Sequence, residues 1–149
     1  MKPKNIKQLV DIALSTGNHF AEFPFSKMPI SQSKILEKEI GIKLVGVDRV
    51  IDTNGIKHAL KNHGSQITES KRGQIAITID DFFIIPQIVK EPDSIKYLGK
   101  NTMNQDVFEY QKRVGDVYFV SEAVKVASAG NKLIFATMYK RKQKTSSKR

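Results

Sequence analysis

From Ser94 onward the chain passes through four segments, SIKYLGK, DVFEYQKRV, DVYFVSEAVKV and NKLIFATMYKR. They are rich in β-branched and aromatic residues and are separated by Gly or Asn signals, the pattern of successive strands. RVGDV and ASAGNK read as hairpin turns between them. The residues before Ser94 read mostly as helices. Helices first and a run of antiparallel strands after is the order of an α+β fold.

Within that first half, NIKQLVDIAL carries apolar residues at 6, 9, 10, 12, 13 and 14 and predicts a helix. STGNHFAEFPFSKMP is broken by Gly17, Pro24 and Pro29 and reads as a loop, with Phe20, Phe23 and Phe25 packing onto the body. SQSKILEKEIG predicts a helix capped by Ser31 or Ser33 and stopped at Gly41. IKLVGVDRVI reads as a strand. DTNGIKHALKNHG predicts a short helix started by Asp52, Thr53 or Asn54 and ended by Gly64. SQITESKRG reads as a polar loop and GQIAIT as a brief strand. TIDDFFIIPQIVKEPD predicts a helix capped by Thr78, with Asp80 and Asp81 in its first turn and an interruption at Pro86.

A length of 149 residues suits one hydrophobic core, and an apolar share of 40% suits a folded domain. Cysteine is absent, which excludes disulfides and thiolate metal sites and fits a reducing compartment. Gln8 and Asp11 interrupt the apolar start, so it reads as an amphipathic helix rather than a signal peptide. No apolar run is long enough to span a bilayer. The expectation is a protein acting in the cytoplasm, its own or that of a target cell, without a membrane partner. The formal charge is +10. Lys140 to Arg149 holds six of those positive charges, a basic end expected to be mobile. Such a balance favours nucleic acid or another polyanion.

Two of the three histidines, His58 and His63, fall in IKHALKNHG. Metal-binding helices place histidines four apart; here the spacing is five, about 140° around a helix. With no cysteine and no carboxylate in the segment, a metal site is not expected. His63 beside Gly64 suits a C-terminal cap, and His58 suits a half-buried polar position. Imidazole also transfers protons near neutral pH. With Lys57 and Lys61 beside them, the pair supplies the groups that metal-free RNA cleavage needs: a base, an acid and cations around the phosphorane.

The order of IKHALKNHG, ITIDDFFIIPQIVKEPDSI, VYFVSEAVKV and KLIFATMYKRK resembles the phage- and mobile-element-borne nuclease domains of the barnase/EndoU/colicin/RelE-like superfamily. The resemblance implies a domain over residues 42–142, preceded by a helical and loop segment, 1–41, and followed by a flexible basic tail, 143–149. It implies N-terminal helices packed on one face of a mainly antiparallel, about four-stranded sheet, with RNA across the open face. Such enzymes are metal-independent endoribonucleases that need no cofactor. The candidate partners are RNA, tRNA among them, and an immunity or antitoxin protein. His58 and His63 match the family's histidine string, and Thr137, Tyr139 and Lys140 match its T-x-Y-K ending.

Period-two alternation places Leu133, Phe135, Thr137 and Tyr139 on one face and Ile134, Ala136 and Met138 on the other, with Lys140 alternating away to the rim. Phe108, Tyr110 and Lys112 share a face, which makes Tyr110 a candidate to stack a base and Lys112 to hold phosphate. Glu109 and Glu122 are candidate carboxylate bases. His19 reads as a loop residue. The leading expectation is therefore a metal-independent ribonuclease, a toxin or mobile-element effector. The alternatives are a non-catalytic nucleic-acid-binding module and a phage structural module on the same fold.

Overall fold

A computed structural model describes residues 2–143; positions 144–149 of the expected basic tail lie outside the described residues. Helix α1 (Ile6–Leu14) leads to strand β1 (Glu22–Lys27) and helix α2 (Ile30–Ile40). Strand β2 (Asp48–Asp52) runs directly into α3 (Thr53–His63), followed by α4 (Gln66–Lys71). A 3-10 helix (Ile79–Ile84) continues into α5 (Ile85–Lys90). The chain then forms β3 (Ser94–Lys100), β4 (Asp106–Val114), β5 (Asp116–Lys125) and β6 (Lys132–Arg141).

The four C-terminal strands form an antiparallel meander, as expected, but the sheet has six strands in the order β1-β2-β6-β5-β4-β3. The α+β class holds; the expected count of about four does not, because the N-terminal half contributes two strands. β2 pairs parallel to β6 through Asp48–Lys132, Arg49–Leu133 and Val50–Ile134, and β1 pairs antiparallel to β2. The prolines that suggested a loop at 15–29 are compatible with β1, because it is an edge strand where one face of the ladder needs no partner. SQITESK, read as a loop, is the short helix α4, started by Ser65 accepting from the Thr68 amide. GQIAIT contributes a single bridge, Ile75 to Lys140.

Local chemistry explains most element ends. The Asp52 carboxylate accepts from the Gly55 amide at 2.7 Å and starts α3, a cap of about 1 kcal/mol. A side chain at Gly55 would meet the Phe135 carbonyl oxygen at 2.7 Å, so only glycine lets α3 begin this close to β6. Thr78 and Asp81 form a capping box, and Pro86 sits in the first turn of α5, where its missing donor is harmless. Helix α2 is preceded by Pro29 without a side-chain cap; Ser33, one expected cap, instead donates to the Ile30 carbonyl.

The core lies between the helices and one face of the sheet. Leu9 and Val10 of α1, Ile56 and Ala59 of α3, and Phe82, Ile85 and Ile88 are buried there. From the sheet come Phe108, Tyr110, Val120, Phe135 and Met138. Simple alternation fails in β6. Ser121 pairs with Thr137 but Glu122 with Phe135, leaving Ala136 as a bulge. The extra residue switches parity, so Leu133, Phe135, Met138 and Lys140 are all buried while Thr137 and Tyr139 turn the other way. The expected grouping of Leu133 and Phe135 with Thr137 and Tyr139 is thus replaced, although the last two still share a face.

Candidate active site

Helix α3 takes over from β2 alongside β6, and its buried stripe runs through Ile56 and Ala59. His63 continues that stripe at i+4 and i+7, so its ring is partly buried and packs against Tyr139 of β6, centroids 5.6 Å apart. The 74–77 segment fixes this meeting. Its Ile75 amide donates to the Lys140 carbonyl and its Ile77 amide to the His63 carbonyl, each at 2.9 Å.

His63 Nδ1 lies 3.0 Å from Oε1 of Glu69, a fully buried carboxylate on α4. Oε2 of Glu69 accepts from Arg72 at 3.0 Å, and the same Arg72 nitrogen donates to the Asn62 carbonyl at 2.9 Å. The Gln74 amide donates to the Glu69 carbonyl at 2.8 Å. The corner between α3 and α4 is therefore closed around the histidine by side chains that the linear sequence presents as a polar loop.

On the sheet's open face, the Tyr139 ring stacks on Phe119 of β5, its cross-strand partner, at 4.6 Å and 11°. Arg141 lies over both rings, 5.3 Å from Phe119 and 5.8 Å from Tyr139, with the rest of the residue exposed. The Tyr139 hydroxyl donates to Glu109 of β4 at 3.4 Å. Burial, and then the nearby Glu109 charge, push the Tyr139 phenol above its ordinary pKa, so near neutrality it is a proton-bearing donor. One strip of surface thus presents an imidazole, a phenol, a carboxylate and a guanidinium.

Other sequence candidates fall elsewhere. His58 is exposed on α3, off the buried stripe, with the Asn62 amide nitrogen 3.2 Å from its ring nitrogens. Lys61 is exposed and Lys57 half-buried on the same helix. The Thr137 hydroxyl is buried, without a hydrogen-bond partner among the described residues. Tyr110 is fully buried on the helix side, with Arg49 5.3 Å above its ring, so it cannot stack a base. Burying Phe108 decides that face, since a buried aromatic contributes about 1.5–3 kcal/mol. Lys112 follows the same parity and donates to the Glu91 carbonyl at 2.6 Å rather than standing free on the open face. Lys140 is also turned inward, 3.0 Å from Asp81, which accepts from Tyr118 at 2.6 Å. Glu122 is fully buried against Arg49, which leaves Glu109 as the accessible carboxylate of the two candidates.

Glu69, Arg72, Phe119 and Arg141 were not among the expected site residues. Arg141 was within reach of alternation, since 137, 139 and 141 follow one another on one face beyond the bulge. Phe119 needed the β5–β6 register, and Glu69 needed the fold of the α3–α4 corner. Among the described residues, no group of three or more histidines, aspartates and glutamates is placed to hold a metal ion.

Helices on one face of a sheet, with a phenol, a carboxylate and a guanidinium on the other and an imidazole beside them, are an arrangement that a small nuclease domain can use. The family described as phage-Barnase-EndoU-ColicinE5/D-RelE like nuclease3 matches residues 29–148, and the chain belongs to that family. The match begins before Ile42 and takes in α2. No curated protein and no solved structure gives a significant match. No helix among the described residues is long and apolar enough to cross a membrane.

Proposed function

We propose that this nuclease is an endoribonuclease that cleaves without a metal, the RNA 2′-hydroxyl attacking the adjacent phosphate, and that it serves a phage or mobile element as a toxin or effector. The observation that carries this reading is His63 held against Tyr139, beside Glu109 and Arg141. Imidazole exchanges protons near neutrality, the phenol donates, and the guanidinium offsets the charge that develops on the phosphorane. RNA carries its own nucleophile, so these groups suffice without an activated water. The formal charge of +10 supports a polyanionic substrate. An immunity or antitoxin protein that covers the open face is the corresponding partner.

The test is purified protein with total RNA and tRNA in excess EDTA. Expected are products ending in 2′,3′-cyclic phosphate, no cleavage of an oligonucleotide with 2′-deoxyribose at the scissile position, and loss of activity in His63→Ala. Metal-dependent cleavage, or equal cleavage of the deoxy substrate, would overturn the reading. A non-catalytic nucleic-acid-binding module is the second reading, favoured by the buried Thr137 hydroxyl. It calls for salt-dependent RNA binding with no turnover.

A further inference from the structure

Glu69 is an unusual residue to find completely buried, since carboxylates are rarely so unless paired. It is paired twice, to His63 Nδ1 through Oε1 and to Arg72 through Oε2, both at 3.0 Å. The ring nitrogen it meets is Nδ1, while Nε2 makes no hydrogen bond among the described residues, and the second Glu69 oxygen is committed to Arg72, which is itself anchored on the Asn62 carbonyl. Neither the loop-like composition of SQITESK nor the family match assigns it a role.

We infer that Glu69 is a positioning residue that keeps the His63 proton on Nδ1 and so makes Nε2 the atom that accepts the 2′-hydroxyl proton. The inference rests on the ribonuclease reading of the same site. An ionised carboxylate only accepts hydrogen bonds, so a neutral imidazole facing it must carry its proton on Nδ1. Nε2 then presents a lone pair, which makes His63 the base rather than the acid. In the first step the 2′-oxygen bonds to phosphorus while its proton moves to Nε2, and Glu69 faces the imidazolium that forms. The P–O5′ bond breaks with its electron pair on O5′, which takes the Tyr139 hydroxyl proton. The proton on Nε2 returns to the Tyr139 oxygen through solvent, restoring both groups. Arg72 holds the second carboxylate oxygen and with it the direction of the first.

The test begins with the wild-type protein, labelled with ¹⁵N-histidine. Long-range ¹H–¹⁵N correlation at a pH where the ring is neutral reads the tautomer, and the peaks missing in His63→Ala identify the residue. The Nδ1-protonated form is expected; the Nε2-protonated form would overturn the inference whatever any variant does. In Glu69→Gln, both tautomers should appear and kcat should fall by about 100-fold or more with KM little changed. A folded Glu69→Gln protein with wild-type kcat would also overturn it. Should that variant fail to fold, the wild-type spectrum still decides. The ribonuclease reading fails separately, through metal-dependent cleavage or equal cleavage of the deoxy substrate. An inactive His63→Ala with a wild-type-like Glu69→Gln would leave that reading intact and remove only the positioning role.

Discussion

His63, at the last turn of α3, and Tyr139, near the end of β6, meet with ring centroids 5.6 Å apart although 76 positions separate them. His58 lies on the same helix but is exposed away from this meeting. The two histidines therefore part company in their expected effects. His63→Ala should lower RNA cleavage by roughly 10²–10⁴-fold, the usual worth of a proton-transfer group. His58→Ala should stay within about threefold of wild type, since it loses at most a surface contact. Initial rates on one fluorogenic RNA substrate compare them directly.

Arg141 and Lys140 are adjacent in sequence and opposite in environment. Arg141→Ala should weaken RNA binding and reduce the slope of log K against log salt by about 0.7, the loss of one phosphate contact on a single strand. Lys140→Met should leave that slope unchanged and instead destabilise the fold by about 1–3 kcal/mol, because Asp81 keeps only part of its partners in a buried setting. Binding titrations at several salt concentrations, with urea melts beside them, separate the two.

Deleting Ala136 should remove the bulge and join Phe135 directly to Thr137. The pairs Glu122–Phe135 and Ser121–Thr137 then follow one another with no extra residue between them, so Met138 and Lys140 stay in the core and Tyr139 stays on the open face. The deletion should therefore cost no more than about 3 kcal/mol, the usual range of a single change, and RNA cleavage should survive it. Urea melts and initial rates on RNA check both, and a turned-over strand would show as loss of both. Ala136→Gly, which keeps the residue count, should stay within about 1 kcal/mol and remain active.

The buried pair Arg49–Glu122, 3.3 Å apart, should behave non-additively. Arg49→Met alone leaves a buried carboxylate without its cation and should cost about 3–5 kcal/mol. Arg49→Met with Glu122→Leu should recover most of that loss, since an apolar pair of similar volume has no desolvation penalty. Burial already pushes the Glu122 carboxyl above its usual range, against the opposing pull of Arg49. A double-mutant cycle by urea unfolding measures the coupling.

All four tyrosines are shifted upward. Burial is the largest cause for Tyr110, Tyr118 and Tyr139, and the hydrogen bond to Asp106 for Tyr97. Folding therefore favours the protonated phenols. Their stabilising contribution is complete below an unfolded-state pKa of about 10 and is lost as pH rises through the folded values. Absorbance at 295 nm should show little phenolate at pH 10 in the native protein and much more in urea. Urea melts should show stability falling above that pH. Native phenolate appearing at the same pH as in urea would contradict these environments.

Local chemistry was legible without the fold. Asp52 starts α3, Thr78 and Asp81 start the 3-10 helix, Gly41 ends α2, and the four C-terminal strands form in the segments whose composition marks them. The stripe of Ile56 and Ala59 also marks His63 over His58 as the inward histidine, because i+4 and i+7 positions share a helix face. These signals depend only on neighbours within a turn or two. What they could not settle was which face of β4 is buried, so Tyr110 and Lys112 were assigned to the wrong side.

Tertiary structure decided the rest through contacts that span the chain. The Ala136 bulge follows from the β5 register rather than from the residues of β6. The parallel docking of β2 on β6 aligns α3 with the strand that carries Tyr139. The burial of Glu69 depends on α4 folding back beneath His63, and Arg141 reaches Phe119 only across a strand pair. The sequence by itself determined the periodic elements, because hydrogen-bonding and hydrophobic period are local; the site needed side chains from four distant segments, and only packing could bring them together.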